Sequence, residues 1–455
     1  LTVKGAVKQK LIVFLAAALL AGVFFLPALI RHDETAVGFT QIILSYTLTL
    51  ATIILGTVTI WLGCSSISRE LEECQMQVLV TKPVARWQIW TGKLLGISVI
   101  NLILMLFCGV IVYGVLSYKS AELPEDQQQF LREKILVARG SVTEKVPDFQ
   151  PIIEEEFQTR VREEDIPETE WQAVRQHLRS AIINDYQTVR PGSARLWQLD
   201  FSGKQKSLKG RPLFVRLKIQ TPDYLQNEED PNVYPTVWQV GEPTSDGYRV
   251  RPMDLPVGVW HEFAIPEDNI QEDGTLYLAV QNMSSTPLFF PVDEPLEVLY
   301  RESGFFINYL RGLGILFFWL TLIAILSLTA SSFLSFSVAS FFCLTALFVF
   351  FSRGAVEGVL ENNTILGIDY NDSSGPRRYY PIVDAVGLPF FQAMKFGLDL
   401  VADFSPIESL SNGRSVTWGQ FFKAFFQIVM LIGGIIGLFG ITIFQRREIA
   451  TAQGK

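Results

Sequence analysis

The residues of this chain best placed to do chemistry lie in one short insert between two apolar runs, LEECQMQVLVTKPVARWQIWTGK, from Leu71 to Lys93. With the flanking Arg69 and Glu70 it gathers Glu72, Glu73, Lys82, Pro83 and Arg86 within a few helical turns. Taken by themselves, these charges read as a solvated face that sets topology. No apolar run carries paired aspartates, a serine with a histidine, or HExxH, and His32, His177 and His261 all lie outside those runs, so an intramembrane enzyme is a weak reading. Cys64 and Cys74 form no CxxC pair and have no neighbouring histidine, which argues against metal ligation. All four cysteines fall in or beside apolar parts, so the long polar middle has no disulfide framework. No GxxxxGK[ST] occurs, and GKLLG at Gly92 follows no strand; this chain cannot cradle ATP phosphates in a P-loop.

The elements that must hold this insert are membrane spans. In 455 residues, 49% are hydrophobic and 34 are Phe, too apolar for an ordinary soluble protein of this length. The net charge of −8 is concentrated in the middle third. About 20 apolar residues cross the hydrocarbon core, and 11–30, 39–67, 94–117 and 424–444 each qualify. Residues 312–352 are long enough for two helices turning near Ser331, Ser332 and Ser335. Six spans are therefore expected, the first uncleaved because no small-x-small cleavage pattern follows Ile30.

Lysine and arginine in short loops mark the cytoplasmic side. Lys4, Lys8 and Lys10 precede the first span, Arg69, Lys82, Arg86 and Lys93 join the second to the third, and Arg446 and Arg447 follow the sixth. Both termini and the insert are expected in the cytoplasm, with 118–308 and 353–423 outside. Within the insert, Ser68 is expected to cap a short cytosolic helix that Pro83 terminates. Arg86 and Lys93 are expected at headgroup level, with Trp87 and Trp90 at interface depth.

The outside parts form an α+β domain. Residues 118–195 read as helical, and Trp171, Val174, Leu178 and Ile182 make one apolar stripe that leaves His177 at the rim. Residues 196–307 change to a period of two: Leu213, Val215, Leu217 and Ile219 alternate with Phe214, Arg216, Lys218 and Gln220. Short strands between turn signals imply a jelly-roll-like β-sandwich. Trp197, Trp238 and Trp260 are expected in its core rather than stacked on sugars. In 353–423, GLPFFQAMKFGLDLVADF carries Lys395, Asp399 and Asp403, and is expected to lie in the interface or to re-enter the bilayer.

The run from Ile67 to Gly96 resembles the cytosolic loop of ABC type-2 permeases. Glu70, Lys82, Pro83, Val84, Arg86, Gly92 and Lys93 carry the likeness, and SNGRSVTWGQ from Ser411 and FQRREIA from Phe444 add to it. The resemblance implies a six-span exporter subunit that pairs with a second permease subunit and contacts a separate ABC ATPase. The partner would hold ATP and Mg, this chain would bind no cofactor, and Arg69, Glu70, Glu72, Glu73, Lys82, Pro83 and Arg86 would form the coupling loop, 64–93, seated on the ATPase. It also implies a bacterial inner-membrane location, with no nucleic-acid partner. The cargo is expected to be amphipathic or lipid-linked, since few charges line the spans. The competing expectation is a membrane-anchored scaffold whose β-sandwich recognises a glycan or a periplasmic protein.

Overall fold

A computed structural model describes residues 40–72, 84–164, 171–204, 211–221, 233–242, 248–292, 294–361, 381–402 and 404–447, together with positions 17, 19, 21, 22, 25, 38, 167, 208, 210, 365, 368, 369, 377 and 378. In chain order, α1 (Thr47–Glu72), entered through a π-helical turn at Gln41–Tyr46, is followed by α2 (Arg86–Ser120), α3 (Glu125–Phe130) and β1 (Val137–Thr143). Then come α4 (Gln150–Glu164), α5 (Trp171–Gln187), β2 (Thr188–Val189), β3 (Ala194–Asp200), β4 (Leu213–Lys218), β5 (Val233–Val240) and β6 (Arg249–Pro256). β7 (Trp260–Ile265), β8 (Thr275–Asn282), β9 (Leu288–Phe289) and β10 (Glu297–Gly304) complete the strand-rich part. The chain ends in α6 (Phe305–Ser331), α7 (Phe336–Phe351), α8 (Arg353–Glu361), α9 (Pro381–Ala402), α10 (Pro406–Ser411) and α11 (Trp418–Ala424), the last continuing through π-helical Phe425–Gly433 into α12 (Gly434–Arg446). The chain divides into one unit of residues 1–138 with 303–455 and a second of residues 139–302.

Four helical segments in the first unit are long and apolar enough to cross a membrane: 42–71, α2, α6 and 418–446. The expected fifth span behaves differently. α7 has 16 residues and bends by 60° into α8, so the pair is one broken span or a re-entrant element. Of the six expected spans, the described residues hold four, or five if the bent pair is one span. The expected first span, 11–30, falls almost wholly outside those residues. The turn between the fourth and fifth expected spans is where the serines place it, with α6 ending at Ser331 and Ser335 preceding α7.

α6 is the hub of this unit. Its apolar window is 72% buried, against 33% for α2 and 28% for the last helix, which leaves those two with broad faces for lipid. Small residues allow the close approach. A Cβ on Gly63 of α1 would lie 1.9 Å from Ser327 Oγ of α6. A Cβ on Gly109 of α2 would meet Leu313 at 2.5 Å, and Tyr309 Oη donates to the Gly109 carbonyl at 3.0 Å. Small residues at helix crossings are the way membrane helices gain packing when hydrophobic burial no longer discriminates.

In the second unit the period of two reads directly as structure. One four-stranded sheet runs β1-β10-β4-β7 and another β3-β8-β5-β6. Residues from both share a single core that includes Trp197, Val215, Leu217, Trp238, Phe263, Leu278 and Val298. Trp197 and Trp238 stack there with centroids 5.9 Å apart. Trp260 departs from expectation. It is exposed on β7, and the Arg216 guanidinium lies 4.4 Å above its ring, because its place on the strand directs it to the face opposite Phe263. The region expected to be helical, 118–195, also contributes β1, which joins the first sheet. Its amphipathic helix is α5, whose Trp171, Val174, Leu178 and Ile182 pack with Phe157 of α4 while His177 is exposed.

Candidate functional site

At the end of the bundle where α1 stops and α2 begins, the side chains singled out from the sequence are tied into the protein itself. α1 does not break at Ser68. The helix runs on to Glu72, and Ser68 Oγ donates to the carbonyls of Ser331 (3.3 Å) and Leu334 (3.2 Å) instead of capping a new helix. The capping signal is real as a residue type, but the α6–α7 turn offers Ser68 free carbonyls and the helix has no reason to restart. Arg69 lies against two rings, 5.1 Å from the Trp61 centroid and 4.6 Å from that of Phe336. Its planar cation thus spans α1 and α7.

Glu70 and Lys93 form the tightest polar contact here. Lys93 Nζ lies 2.7 Å from Glu70 Oε1 and donates to the Ser66 carbonyl at 2.7 Å. The lysine side chain is only 9% exposed and the glutamate 33%. The lysine expected to anchor at the headgroups is buried against α1, where the backbone and a carboxylate receive its ammonium. Trp90 is likewise buried, in the core with Leu62 and Phe444, whereas Trp87 is exposed.

Arg86, at the first position of α2, reaches the end of α12. Its Nη1 donates to the carbonyls of Gln445 and Arg447, both at 2.8 Å. Cations are favoured at a helix C-terminus, where the last carbonyls lack intrahelical partners. Arg447 Nη1 in turn donates to the Ser332 carbonyl at 2.7 Å. The structure thus joins Arg86 to the tail motif FQRREIA, and the tail to the α6–α7 turn. Arg69, Glu70 and Arg86 are brought to one end of the bundle, each held by a different neighbour. The Glu72 side chain, Glu73, Cys74, Lys82 and Pro83 lie outside the described residues.

The third motif, SNGRSVTWGQ, closes a different junction. Thr417 and Gln420 form a reciprocal capping box: Gln420 N donates to Thr417 Oγ1 at 3.1 Å, and Thr417 N donates to Gln420 Oε1 at 3.0 Å. Just before it, buried Asn308 of α6 donates to the Arg414 carbonyl and accepts from Val416 N, both at 2.7 Å. Gly413 has φ +67°, and any Cβ there would sit 2.3 Å from the Lys134 carbonyl. Sequence reading missed Asn308; its signal is the single amide of a mostly apolar helix.

In the second unit, Glu144 and Arg195 pair at 3.0 Å with both side chains largely buried. Arg195 also lies over Tyr186 and Trp197. Burial, reinforced by the Glu144 carboxylate, pushes the Tyr186 phenol up to about 12, while Arg195 opposes the shift.

Several long apolar helices around one enclosed hub define a multi-pass membrane protein. Residues 7–138 match the family model described as ABC-2 family transporter protein, which supports an ABC type-2 permease and includes the insert between α1 and α2. Members of that family are membrane transport components rather than catalysts, and the family implies an ABC ATPase as partner. No curated protein matches the chain, and no solved structure does.

Proposed function

We propose that the chain is the membrane-spanning subunit of an ABC exporter, coupling ATP hydrolysis in a separate subunit to export or extraction of an amphipathic or lipid-linked substrate. ATP and Mg would be held by that ATPase, and a second permease subunit would complete the pathway. The observation that carries the reading is the bracing at the roots of the 73–83 segment. Lys93–Glu70 closes the loop across its base, and Arg86 fastens α2 to the end of α12. A docking segment moves spans only if its ends are stiffly joined to them, and these contacts supply that stiffness as rigid-body coupling requires. The refined assignment follows. Glu73, Lys82 and Pro83, with Glu72, would meet the ATPase, whereas Arg69, Glu70 and Arg86 would transmit its movement. By the distribution of lysine and arginine, both termini and this loop would face the cytoplasm of a bacterial inner membrane. The second unit, read as a β-sandwich, would be extracytoplasmic, where a glycan or periplasmic protein would meet it. No observation favours the scaffold alternative.

The test is co-purification of an ABC ATPase subunit with this chain when the two are expressed together. Charge reversal at Glu73 and Lys82 together is expected to release the ATPase while the permease stays monodisperse; a complex that survives both reversals sinks the coupling assignment.

A further inference from the structure

A half-open cavity of about 580 Å³ in the first unit is walled by the start of α1, by Trp319 of α6, by the last turn of α7 and by α10. Its size falls within the roughly 300–1,000 Å³ of small-ligand sites. The hydroxyls on its wall differ from their neighbours. Around them, Thr47, Thr52, Thr57 and Thr59 each donate to a carbonyl of their own helical run, at 3.2, 2.7, 2.9 and 2.6 Å. Ser45 and Thr49, half-buried and one helical turn apart on the cavity wall, have no hydrogen-bond partner for their hydroxyls among the described residues. Ser405 is a third such group: it stands at the N-cap of α10, yet its side chain caps nothing. Ser411 is the exception, since its hydroxyl donates to the Glu408 carbonyl at 3.0 Å.

The charges narrow the ligand. Arg353 is already engaged, with Nε 2.8 Å from Glu357 Oε1 and Nη2 3.2 Å from Asp399 Oδ1. Glu408, exposed on the same wall, forms no ion pair among the described residues. An anion therefore finds no uncompensated cation here, and a cation finds one carboxylate screened by solvent. The remaining wall is aromatic: Trp319 and Phe350 meet edge to face at 5.1 Å, and Phe351 stands exposed beside them. The indole N–H of Trp319 is buried without an acceptor among the described residues, a deficit that an ammonium head, which only donates, does not relieve. Rings alongside hydroxyls, an amide at Asn412 and one carboxylate suit a neutral ligand that both donates and accepts hydrogen bonds and has an apolar face.

We propose that this cavity binds a neutral sugar ring, either free or as the head group of a glycolipid. The C–H face of the ring lies against Phe350 and Phe351, and its hydroxyls exchange hydrogen bonds with Ser45, Thr49 and Ser405 and donate to Glu408. Each such bond replaces one made to water and is worth little alone, so recognition is built from several together. The inference concerns binding to this chain and stands whether or not an ATPase docks on it.

The full chain, reconstituted in phosphatidylcholine nanodiscs, is titrated with tritiated dodecyl maltoside below its micelle concentration, with empty nanodiscs as background. Bound probe is then competed with unlabelled dodecyl maltoside, with dodecyltrimethylammonium and dodecyl sulfate, which share its alkyl chain, and with maltotriose, which has none. The maltoside is expected to compete at about tenfold lower concentration than either charged amphiphile. Displacement by maltotriose as well shows that a free sugar suffices; displacement by the maltoside alone assigns the site to a glycolipid head. Thr49→Val keeps the side-chain shape without the hydroxyl and is expected to weaken binding about fivefold, and about twentyfold together with Ser45→Ala. Phe351→Leu, at an exposed position, is expected to weaken it about threefold. Thr57→Val, whose hydroxyl is already bonded to the Ile53 carbonyl, is expected to leave it unchanged. Competition by the ammonium or the sulfate equal to that of the maltoside overturns the inference. So does wild-type affinity in the monodisperse Ser45–Thr49 double variant or, should that variant not stay monodisperse, in Phe351→Leu.

Discussion

Replacing Glu70 by glutamine isolates the buried ammonium of Lys93. At 2.7 Å and an effective dielectric of about 20, the pair attracts by roughly 6 kcal/mol, most of it offset by the desolvation of Lys93. In Glu70→Gln the ammonium keeps the Ser66 carbonyl but loses its counter-charge in a place water reaches poorly. A cost of about 3 kcal/mol is expected, at the low end for a broken buried pair because the glutamate is a third exposed. Lys93→Met on the same background removes the stranded charge while keeping its apolar stem, and is expected to return most of that loss. Thermal inactivation of the detergent-solubilised protein, followed by the monodisperse fraction after heating, measures both. The single variant should fall by several degrees and the double variant by a degree or two. If Glu70→Gln is as stable as wild type, or if the double variant is the worse of the two, the pair is not the brace described here.

Asn308→Ala removes two hydrogen bonds of 2.7 Å to the 414–416 backbone and is expected to cost about 2–3 kcal/mol, read as a lower thermal midpoint and faster proteolysis before Trp418. Asn308→Asp can still accept from Val416 N but turns a carboxylate oxygen toward the Arg414 carbonyl, so it should not rescue. Gly63→Ala puts a methyl 1.9 Å from Ser327 Oγ, and loss of monodisperse protein is expected; Ser327→Gly in the same chain should restore it, and no restoration would locate the defect elsewhere. In the second unit, absorbance at 295 nm should show Tyr186 ionising near pH 12 in the folded protein, and Tyr186→Phe should remove that transition. Because the folded state holds this proton more tightly than the unfolded state, the contribution of Tyr186 to stability is complete below about pH 10 and is lost as pH rises toward 12.

The legible parts of this fold were those governed by periodicity. Leu213, Val215 and Leu217 alternate because a strand has a period of two, and all three are buried, although Phe214 between them is covered as well. The stripe on α5 and the Thr417–Gln420 box are equally local. What sequence alone could not locate were contacts closed by distant backbone. Ser68 has the right type for a helix cap, but its acceptors lie more than 260 residues away in sequence. Lys93 looked like an interfacial anchor because nothing in its own helix shows that Ser66 and Glu70 wait across the crossing. The break after α7 was hidden for a related reason, since residues 340–351 are as apolar as any full span. Only the geometry reveals that the helix turns at Ser352.

The second unit begins at Arg139, one residue beyond the last position of the recognisable family segment. The chain enters it along β1 and leaves along β10, and these strands are hydrogen-bonded neighbours. A module whose two ends emerge side by side can be spliced into an existing loop, or excised from it, without lengthening the path of the host. The same feature lets a transporter lineage exchange what it displays on this loop while the helical machinery that moves cargo goes on evolving under its own constraints.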